Sequence, residues 1–169
     1  MNKAFDRPPI PKLPDRLRKD LSLITPSMNG DLSCWPCAAR MRDGTVLVCV
    51  CVAPAIPYLK HWRVYPQDGP GRSCILLDEV DAFAESPRRL PARFANKVYA
   101  MEETGKDVKV FTVIFNDGYR QASGAGTAVD FIRYPEGLGP ADVVDVVRFQ
   151  SPNAEIVRSP EYYWCLFAE

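Results

Sequence analysis

The sequence predicts a single α+β domain with a central, mainly antiparallel β-sheet and at least one packed helix. A chain of 169 residues is long enough for one well-buried core. Two apolar, β-branched segments each contain an Asp-Gly pair, which supplies the backbone angles of a tight hairpin turn; the pairs are Asp43-Gly44 and Asp117-Gly118. Residues 91–104 have the apolar spacing of an amphipathic helix.

The N-terminal segment 1–14 is predicted to be an extended arm, because its several prolines cannot sit inside a helix. The single domain is assigned to residues 15–169. It begins with a short helix after Pro14, and Pro26 ends that helix. Three apolar residues fall on one face of this helix: Leu17, Leu21 and Ile24.

Residues 34–52 are predicted to form the first hairpin. Its second strand is apolar on both faces, which is typical of a strand in the middle of a sheet with packing on each side. Strict alternation places two sets of side chains on opposite faces: Val46, Val48, Val50 and Val52 on one, Leu47, Cys49 and Cys51 on the other. Trp35 and Pro36 are expected at an edge or entry of the sheet, where the missing N–H of proline does least harm.

The segment between the hairpins is predicted to hold two short strands and the main helix. The strands are an aromatic one at residues 61–65 and another from Cys74 to Leu77. The helix occupies residues 91–104, because Pro91 suits a first helical turn and Gly105 is placed to end the helix. Three residues recur on its apolar face: Phe94, Val98 and Met101.

The second hairpin follows at residues 109–124. Beyond it, Thr127 and Asp130 resemble a capping pair at a helix start. Residues 140–147 fit a helix start but are rich in β-branched valine, so helix and strand both stay open there. The aromatic C-terminal run is predicted to be a closing strand or a docked segment.

The charge balance gives no general electrostatic reason to bind nucleic acid or an anionic membrane. Lysine plus arginine and aspartate plus glutamate number 21 each. The N-terminus lacks the apolar run of an export signal, and no segment approaches the roughly 18 apolar residues of a membrane span. We therefore expect a soluble, cytoplasmic protein that binds neither nucleic acid nor membrane.

Cys34 and Cys37 form a Cys-x-x-Cys pair, which exchanges disulfides when the first thiol lies at a helix N-terminus. A thioredoxin-like site also needs a long helix after the pair, and here a hairpin turn follows within a few residues. Zinc bound by these two together with Cys49 and Cys51 is a second hypothesis, although strand residues two apart lie roughly 6–7 Å from each other. The favoured interpretation is small core residues, with no metal and no cofactor.

An acidic stretch and a hairpin tip supply the candidate protein-binding residues. The acidic residues are Asp78, Glu79, Asp81 and Glu85, and a negative surface of this kind steers a basic partner. If the stretch is helical, all but Glu79 share one side. Tyr119 and Arg120, at the second hairpin, are residue types that anchor interfaces. The chain has one histidine, His61, so no site that needs two histidines can form.

The leading functional hypothesis is a non-enzymatic interaction protein of the bacterial cytoplasm, and a toxin-neutralising immunity or accessory protein is one concrete form of it. The hypothesis depends on missing signatures, namely a nucleotide-binding loop, a histidine set, an export signal and a basic bias. One alternative is a thiol redox protein or sensor that uses Cys34 and Cys37. Another is a small hydrolase or transferase whose carboxylate site leaves no linear motif.

Overall fold

The computed structural model describes residues 9–68, 73–102, 108–150 and 154–169, and it confirms the α+β fold class. Within these ranges the helices are α1 (Asp15–Ser22), α2 (Ala55–Trp62) and α3 (Ala92–Tyr99). The strands are β1 (Ser27–Asn29), β2 (Leu32–Met41), β3 (Val46–Pro54), β4 (Ser73–Cys74), β5 (Val80–Ala84), β6 (Lys109–Phe115), β7 (Arg120–Ala125), β8 (Val143–Arg148), β9 (Ile156–Arg158) and β10 (Tyr163–Phe167). Single 3-10 turns occupy 66–68, 77–79 and 140–142.

The first sheet has six strands in the order β1-β2-β3-β10-β4, with β5 also paired to β2. The strands β1, β3 and β5 run antiparallel to β2, whereas β10 is parallel to both β3 and β4. The sheet is therefore mixed and not purely antiparallel. The reason is topological: the chain leaves to build a second sheet and returns over a long connection, which permits a parallel pairing beside β3.

The strand β3 lies in the middle of the first sheet, and its C-terminal half is buried on both faces, as predicted. A β-bulge interrupts its pairing with β2 and shifts the alternation of side chains by one residue. Leu47 therefore packs in the same cluster as Val50 and Val52. Val46 and Val48, near the hairpin turn, are exposed, so the packing predicted for both faces does not extend to them.

Helix α1 covers one face of the first sheet. The predicted helix is confirmed, with Leu17 and Leu21 buried against the sheet. It ends at Ser22, earlier than the predicted end at Pro26, and Ile24 packs in the same cluster after the helix. The described part of the N-terminal arm runs beside the C-terminus, where the Ala168 N–H donates to the Pro11 carbonyl at 2.9 Å. Residues 1–8 of the predicted arm lie outside the described ranges.

The second sheet has the strand order β8-β6-β7-β9 and is antiparallel except for the pair β7 and β9. Its inner face packs against α3. Apolar residues from the helix and from β6 form this core: Phe94, Ala95, Val98, Phe111, Val113 and Phe115. The two sheets thus have separate cores within one domain, and a third cluster covers the second face of the first sheet.

Both predicted hairpins are confirmed. Their turns place Gly44 at φ +91° and Gly118 at φ +88°, a region of backbone space that favours glycine. In each turn the aspartate Oδ1 accepts the N–H two residues ahead, at 2.8 Å for Asp43 and 2.9 Å for Asp117. The same side-chain bond therefore closes both turns.

The predicted helix at 91–104 is present but shorter. It begins after Pro91 and ends at Tyr99, with Ala100 as its C-cap. Gly105 lies outside the described residues, and the cap role predicted for it is wrong because the helix ends before it.

Two predictions for the segment before α3 are wrong. Residues 61–65 are not a strand, because α2 extends through Trp62 and buries Ala55 and Tyr58 against the first sheet. The strand predicted from Cys74 to Leu77 is limited to Ser73–Cys74, and a 3-10 turn begins at Leu77.

The segment after β7 also differs from its prediction. Thr127 and Asp130 do not cap a helix, since this part of the chain is extended and Phe131 forms an isolated antiparallel bridge with Arg89. Residues 143–148 are strand β8, which decides between the two alternatives left open there. The closing strand predicted at the C-terminus is β10. Of the described helices, none has the length and apolar character needed to cross a membrane.

Candidate functional site

Four polar side chains meet between the two sheets, and we call them the Asp130 cluster. Its members are Ser27, Arg89, Tyr99 and Asp130. Ser27 lies in β1 and Arg89 in the segment before α3. Tyr99 is the last residue of α3, and Asp130 lies in the segment after β7. Three of the four are buried, and Asp130 is completely inaccessible to solvent.

The Asp130 carboxylate accepts a hydrogen bond on each of its oxygens. Ser27 Oγ donates to Oδ1 at 2.6 Å, and the Tyr99 hydroxyl donates to Oδ2. Burial raises the pKa of Asp130 above its ordinary value, although these two hydrogen bonds and the positive charge of Arg89 act in the opposite direction. A buried carboxylate with a hydrogen bond to each oxygen favours one arrangement of the elements around it.

The Arg89 guanidinium is fixed by the same cluster. Its Nη2 donates to the Thr25 carbonyl and to Ser27 Oγ, the latter at 3.2 Å. The Ser27 hydroxyl therefore links Arg89 to Asp130. Arg89 is only 5% exposed, and its Nε is buried with no hydrogen-bond partner among the described residues. Such a donor costs about 1–3 kcal/mol, so the position of this atom needs an explanation.

A cleft of about 500 Å³ opens beside this arginine, and we call it the Arg89 cleft. Its lining combines charged, hydroxyl and apolar side chains: Thr25, Glu85, Ser86, Arg89, Pro91, Ala92, Arg93 and Pro140. The lining includes the first turn of α3, whose N-cap Pro91 makes no side-chain hydrogen bond to the helix. The Phe94 and Ala95 N–H groups donate to the Pro91 carbonyl at 2.9 and 3.0 Å, so only the N–H groups that precede them in the helix lack an acceptor within it.

A second feature is the outer face of the second sheet, the side turned away from α3. The strand register places ten residues on it: Val110, Thr112, Ile114, Arg120, Ala122, Gly124, Asp145, Val147, Ile156 and Arg158. Along β6, the inner residues Phe111, Val113 and Phe115 are buried while the outer ones are half-buried. No outer-face residue belongs to a core cluster of the described chain. Five of the ten residues on the outer face therefore have apolar side chains, and among the described helices none packs on it.

Cys34 and Cys37 both lie in the core, 2% and 0% exposed. Burial raises the pKa of Cys37 well above its ordinary value. At Cys34 a hydrogen bond with Cys51 lowers the pKa, but burial and the Asp130 charge bring it above the ordinary value. Reactive cysteines combine exposure with a low pKa, so this placement argues against a redox pair.

The four cysteines considered for zinc do not converge on one point. Cys37 packs on the face covered by α1, whereas Cys34, Cys49 and Cys51 pack on the opposite face. Residues three apart on a strand point to opposite sides of its sheet, which explains the separation of the first pair. Across the described ranges, no three or more His, Cys, Asp or Glu side chains are grouped so as to hold a metal ion.

The acidic stretch is exposed but not helical. Asp78 and Glu79 lie in a 3-10 turn and Asp81 lies in β5, so the common helical side considered for this stretch does not form. Asp81 already has an ion-pair partner in Arg40 at 2.7 Å. Glu85 lines the Arg89 cleft. The four carboxylates are thus divided among three environments.

Tyr119 and Arg120 lie beside the outer face. Tyr119 is 52% exposed at the hairpin turn. Arg120 is paired with Ile114 across the ladder, and directly opposed residues of an antiparallel pair project to the same side. The structure therefore brings Arg120 to the outer face, whereas the Tyr119 ring lies 6.2 Å from the ring of the inner residue Phe115. The acidic stretch belongs to the first sheet.

Sequence patterns do not single out Arg89 or Asp130 as site residues. One signal for Asp130 exists, because it is the only polar residue between Ala128 and Ile132. A lone acid in an apolar run indicates a buried, hydrogen-bonded carboxylate. Arg89 has no comparable signal, since it follows another arginine in a stretch typical of an exposed surface.

No protein-family model, no curated protein and no solved structure matches the chain.

Proposed function

We propose that the protein is a non-enzymatic binding module that docks another protein on the outer face of its second sheet. The observation that carries this proposal is the one-sided burial of β6, whose outer side has no helix packed on it in the described chain. A solvated face of an antiparallel sheet is normally polar. Here five of the ten outer-face residues have apolar side chains, and one of them, Ile156, is 43% exposed. Exposed apolar surface of this kind marks interaction sites.

The charges on the outer face define the chemistry of the partner. Arg120 and Arg158 are exposed cations on this face. The nearest carboxylate in the register, Asp145, is engaged by Lys97 at 2.8 Å. A complementary partner therefore carries an apolar patch flanked by carboxylates. Tyr119, an aromatic residue of the type enriched in interface hot spots, is exposed at the adjacent turn with its ring beside Phe115, so we place it next to the outer face and not on it.

A toxin-neutralising immunity or accessory protein of the bacterial cytoplasm is one concrete form of such a module. Its six cysteines are all in the thiol form, and five of them are buried. Thiols kept as small core residues fit a reducing compartment, which supports the cytoplasmic location.

The two enzymatic alternatives have less support. The buried positions of Cys34 and Cys37 argue against thiol chemistry. Paired-carboxylate chemistry needs two acids of unequal environment in one cleft. The Arg89 cleft contains one carboxylate, Glu85, and the apolar groove between Pro9 and Leu166 also contains one, Asp78.

The proposal is tested by charge substitution on the outer face. Ile156→Glu and Arg120→Glu are the test variants, since both side chains are exposed enough to be replaced without opening the core. Leu23→Glu and Arg18→Glu are matched controls on and after α1, at exposed positions remote from the second sheet. Tagged proteins are used to capture partners from cell extract, and a captured protein is then purified and titrated by calorimetry.

The proposal predicts one purified partner that binds with defined stoichiometry, less tightly in high salt. Both test variants weaken the complex about tenfold or more, and both controls bind like the wild type. Equal binding by all five proteins would place the interface elsewhere. Self-association in the ultracentrifuge that Ile156→Glu abolishes would also overturn the proposal, because a second copy would then occupy the outer face.

A further inference from the structure

We infer that the apolar groove between Pro9 and Leu166, which we call the Leu166 groove, binds an extended apolar peptide segment that pairs with the backbone of Leu166. The groove lies between the N-terminal arm and the segment that follows β4, and its volume is about 240 Å³. This inference does not depend on the proposed function, since the Leu166 groove and the outer face share no residue. It depends on a gap in the hydrogen bonding of β10, on a proline beside that gap, and on the apolar lining.

The strand β10 is paired with β3 along the whole of one edge, but its other edge is paired only at the two ends. On that second edge, the Trp164 carbonyl accepts the Ile75 N–H at 2.9 Å, and the Ala168 N–H donates to the Pro11 carbonyl at 2.9 Å. Strand residues two apart direct their N–H and C=O groups to the same edge. The N–H and C=O of Leu166 therefore face the gap between these two pairings.

The Leu166 N–H and C=O have no hydrogen-bond partner among the described residues. Strand β4 ends at Cys74, before it reaches them, and the arm pairs with β10 only beyond them, at Lys12. In that parallel pairing, the arm residue placed to donate to the Leu166 carbonyl is Pro11, which has no N–H. Leu166 is only 9% exposed, and buried backbone groups of native proteins are nearly always paired, so these two call for a partner.

An extended peptide supplies the complementary donor and acceptor. Directly opposed residues of an antiparallel pair exchange both of their N–H···O bonds, so one ligand residue satisfies the Leu166 N–H and C=O together. A fatty acid anion accepts from the N–H but has no proton to donate to the carbonyl. It is also repelled by Asp78, the one charged side chain among the described residues of the lining. An uncharged backbone therefore fits this groove better than an acyl chain.

The lining of the Leu166 groove favours an apolar ligand side chain. The arm contributes Pro9 and Ile10, and the segment after β4 contributes Ile75 and Leu76. Leu76 is 55% exposed, so it has apolar surface that a ligand side chain can cover. The volume of about 240 Å³ is below the roughly 300–1,000 Å³ of pockets for drug-sized ligands, so it accommodates about one or two residues and not a folded element.

Binding is measured by NMR on the ¹⁵N-labelled full-length chain, with N-acetyl-leucine N-methylamide as the probe. This uncharged molecule presents one leucine residue between two peptide units. It is expected to bind saturably, to shift the Leu166 amide signal and to slow the exchange of that amide with solvent. The amides of Cys165 and Phe167 are internal controls, because they face β3. A Leu166 amide as protected as these two in the free protein would overturn the inference, since another part of the chain would then pair with it.

A matched ligand tests the backbone pairing. In the ester analogue of the probe, an oxygen atom replaces the leucine N–H, so the molecule keeps its side chain but cannot donate to the Leu166 carbonyl. The loss of one hydrogen bond should weaken its binding about two- to tenfold. Equal binding of the probe and the ester analogue would contradict the inference, because the groove would then recognise apolar surface alone.

Two variants test the lining. Leu76→Ala should weaken binding of the probe about two- to fivefold, because it removes apolar surface from the groove. Leu23→Ala is the matched control, since Leu23 is a leucine outside the lining and is 79% exposed, and it should bind like the wild type. Equal loss in both variants, or shifts that spread over the surface and do not saturate, would overturn the site.

Discussion

Ser27 Oγ donates a hydrogen bond of 2.6 Å to Asp130 Oδ1 across 103 positions of sequence. Ser27 belongs to β1 of the first sheet, and Asp130 belongs to the segment that packs between that sheet and the second. Because Tyr99 at the end of α3 donates to the other oxygen, one carboxylate connects both sheets and the helix. The relative position of the sheets thus depends on one acid that is inaccessible to solvent.

The first prediction is that Asp130→Ala strongly destabilises the fold. The substitution leaves the hydroxyls of Ser27 and Tyr99 without their acceptor, and each buried unsatisfied donor costs about 1–3 kcal/mol. We expect the free energy of unfolding in urea to fall by about 2–5 kcal/mol. The matched control is Asp81→Ala, which removes an exposed ion pair with Arg40 and should cost less than about 1 kcal/mol. A loss at Asp130 no larger than at Asp81 would show that the cluster is not a structural link.

The second prediction concerns the pH dependence of stability. The pKa of Asp130 is raised in the folded state, so the folded protein binds this proton more tightly than the unfolded chain, in which the pKa is about 3.9. The resulting stabilisation is complete below about pH 3.9 and is lost as the pH rises through the folded pKa. We therefore compare the free energy of unfolding of the wild type with that of Asp130→Asn. The wild-type value minus the variant value should fall as the pH rises from about 4, by at most about 1.4 kcal/mol per pH unit.

The measurement is urea unfolding of both proteins between about pH 4 and pH 8. Every other titrating group is common to the two chains, so its contribution cancels in the difference. The acids with lowered pKa values, Asp43 and Asp145, act in the opposite direction and cancel in the same way. A wild-type advantage that grows with pH would mean that the folded pKa of Asp130 is lowered.

Local patterns predicted the parts of this fold that depend on neighbours in sequence. The Asp-Gly pairs indicate both hairpins, and the spacing of Leu17 and Leu21 indicates α1. Pairings between distant segments are not encoded in this way. The parallel entry of β10 beside β3 depends on how strands more than 100 residues apart meet.

The candidate sites also include residues that local sequence patterns can identify and residues that depend on contacts between distant segments. Tyr119 and Arg120 are recognisable from their residue types and their place in a turn, and the structure locates them beside the outer face. Arg89 and Asp130 are not recognisable as a pair, because the Ser27 hydroxyl that links them is more than 60 residues from either. Alternation predicts that Cys34 and Cys37 point to opposite faces, but their burial depends on the helices and loops that cover those faces.

The third prediction is that a single thiol reacts readily in the native protein. Cys74 is half-buried, whereas the other five cysteines are buried. Burial raises the pKa of all three of Cys49, Cys74 and Cys165, to about 11 at Cys49 and about 12 at Cys165, so accessibility is what distinguishes Cys74. With Ellman's reagent at neutral pH we expect one fast thiol, and six after denaturation. Cys74→Ser should remove the fast phase, and a fast phase that survives in this variant and maps to Cys34 or Cys37 would revive the redox hypothesis.

The fourth prediction concerns the close packing of β7 and β9. A Cβ atom on Gly124 would lie 3.0 Å from Ile156 Cγ2, which is closer than an ordinary van der Waals contact. Gly124→Ala should therefore destabilise the wild type by about 1–3 kcal/mol, the usual cost of overpacking. In an Ile156→Ala background the same change should be neutral or stabilising by about 0.5–1 kcal/mol, because alanine loses less backbone entropy than glycine in a strand.

A double-mutant cycle measured by urea unfolding isolates this contact from the effects of the two single changes. Gly139→Ala is the matched control, since an added Cβ there meets no atom within 4 Å and the backbone φ is negative. It should change the unfolding free energy by less than about 0.5 kcal/mol. If Gly124→Ala costs the same with and without the Ile156 side chain, the glycine is required by the backbone and not by its neighbour.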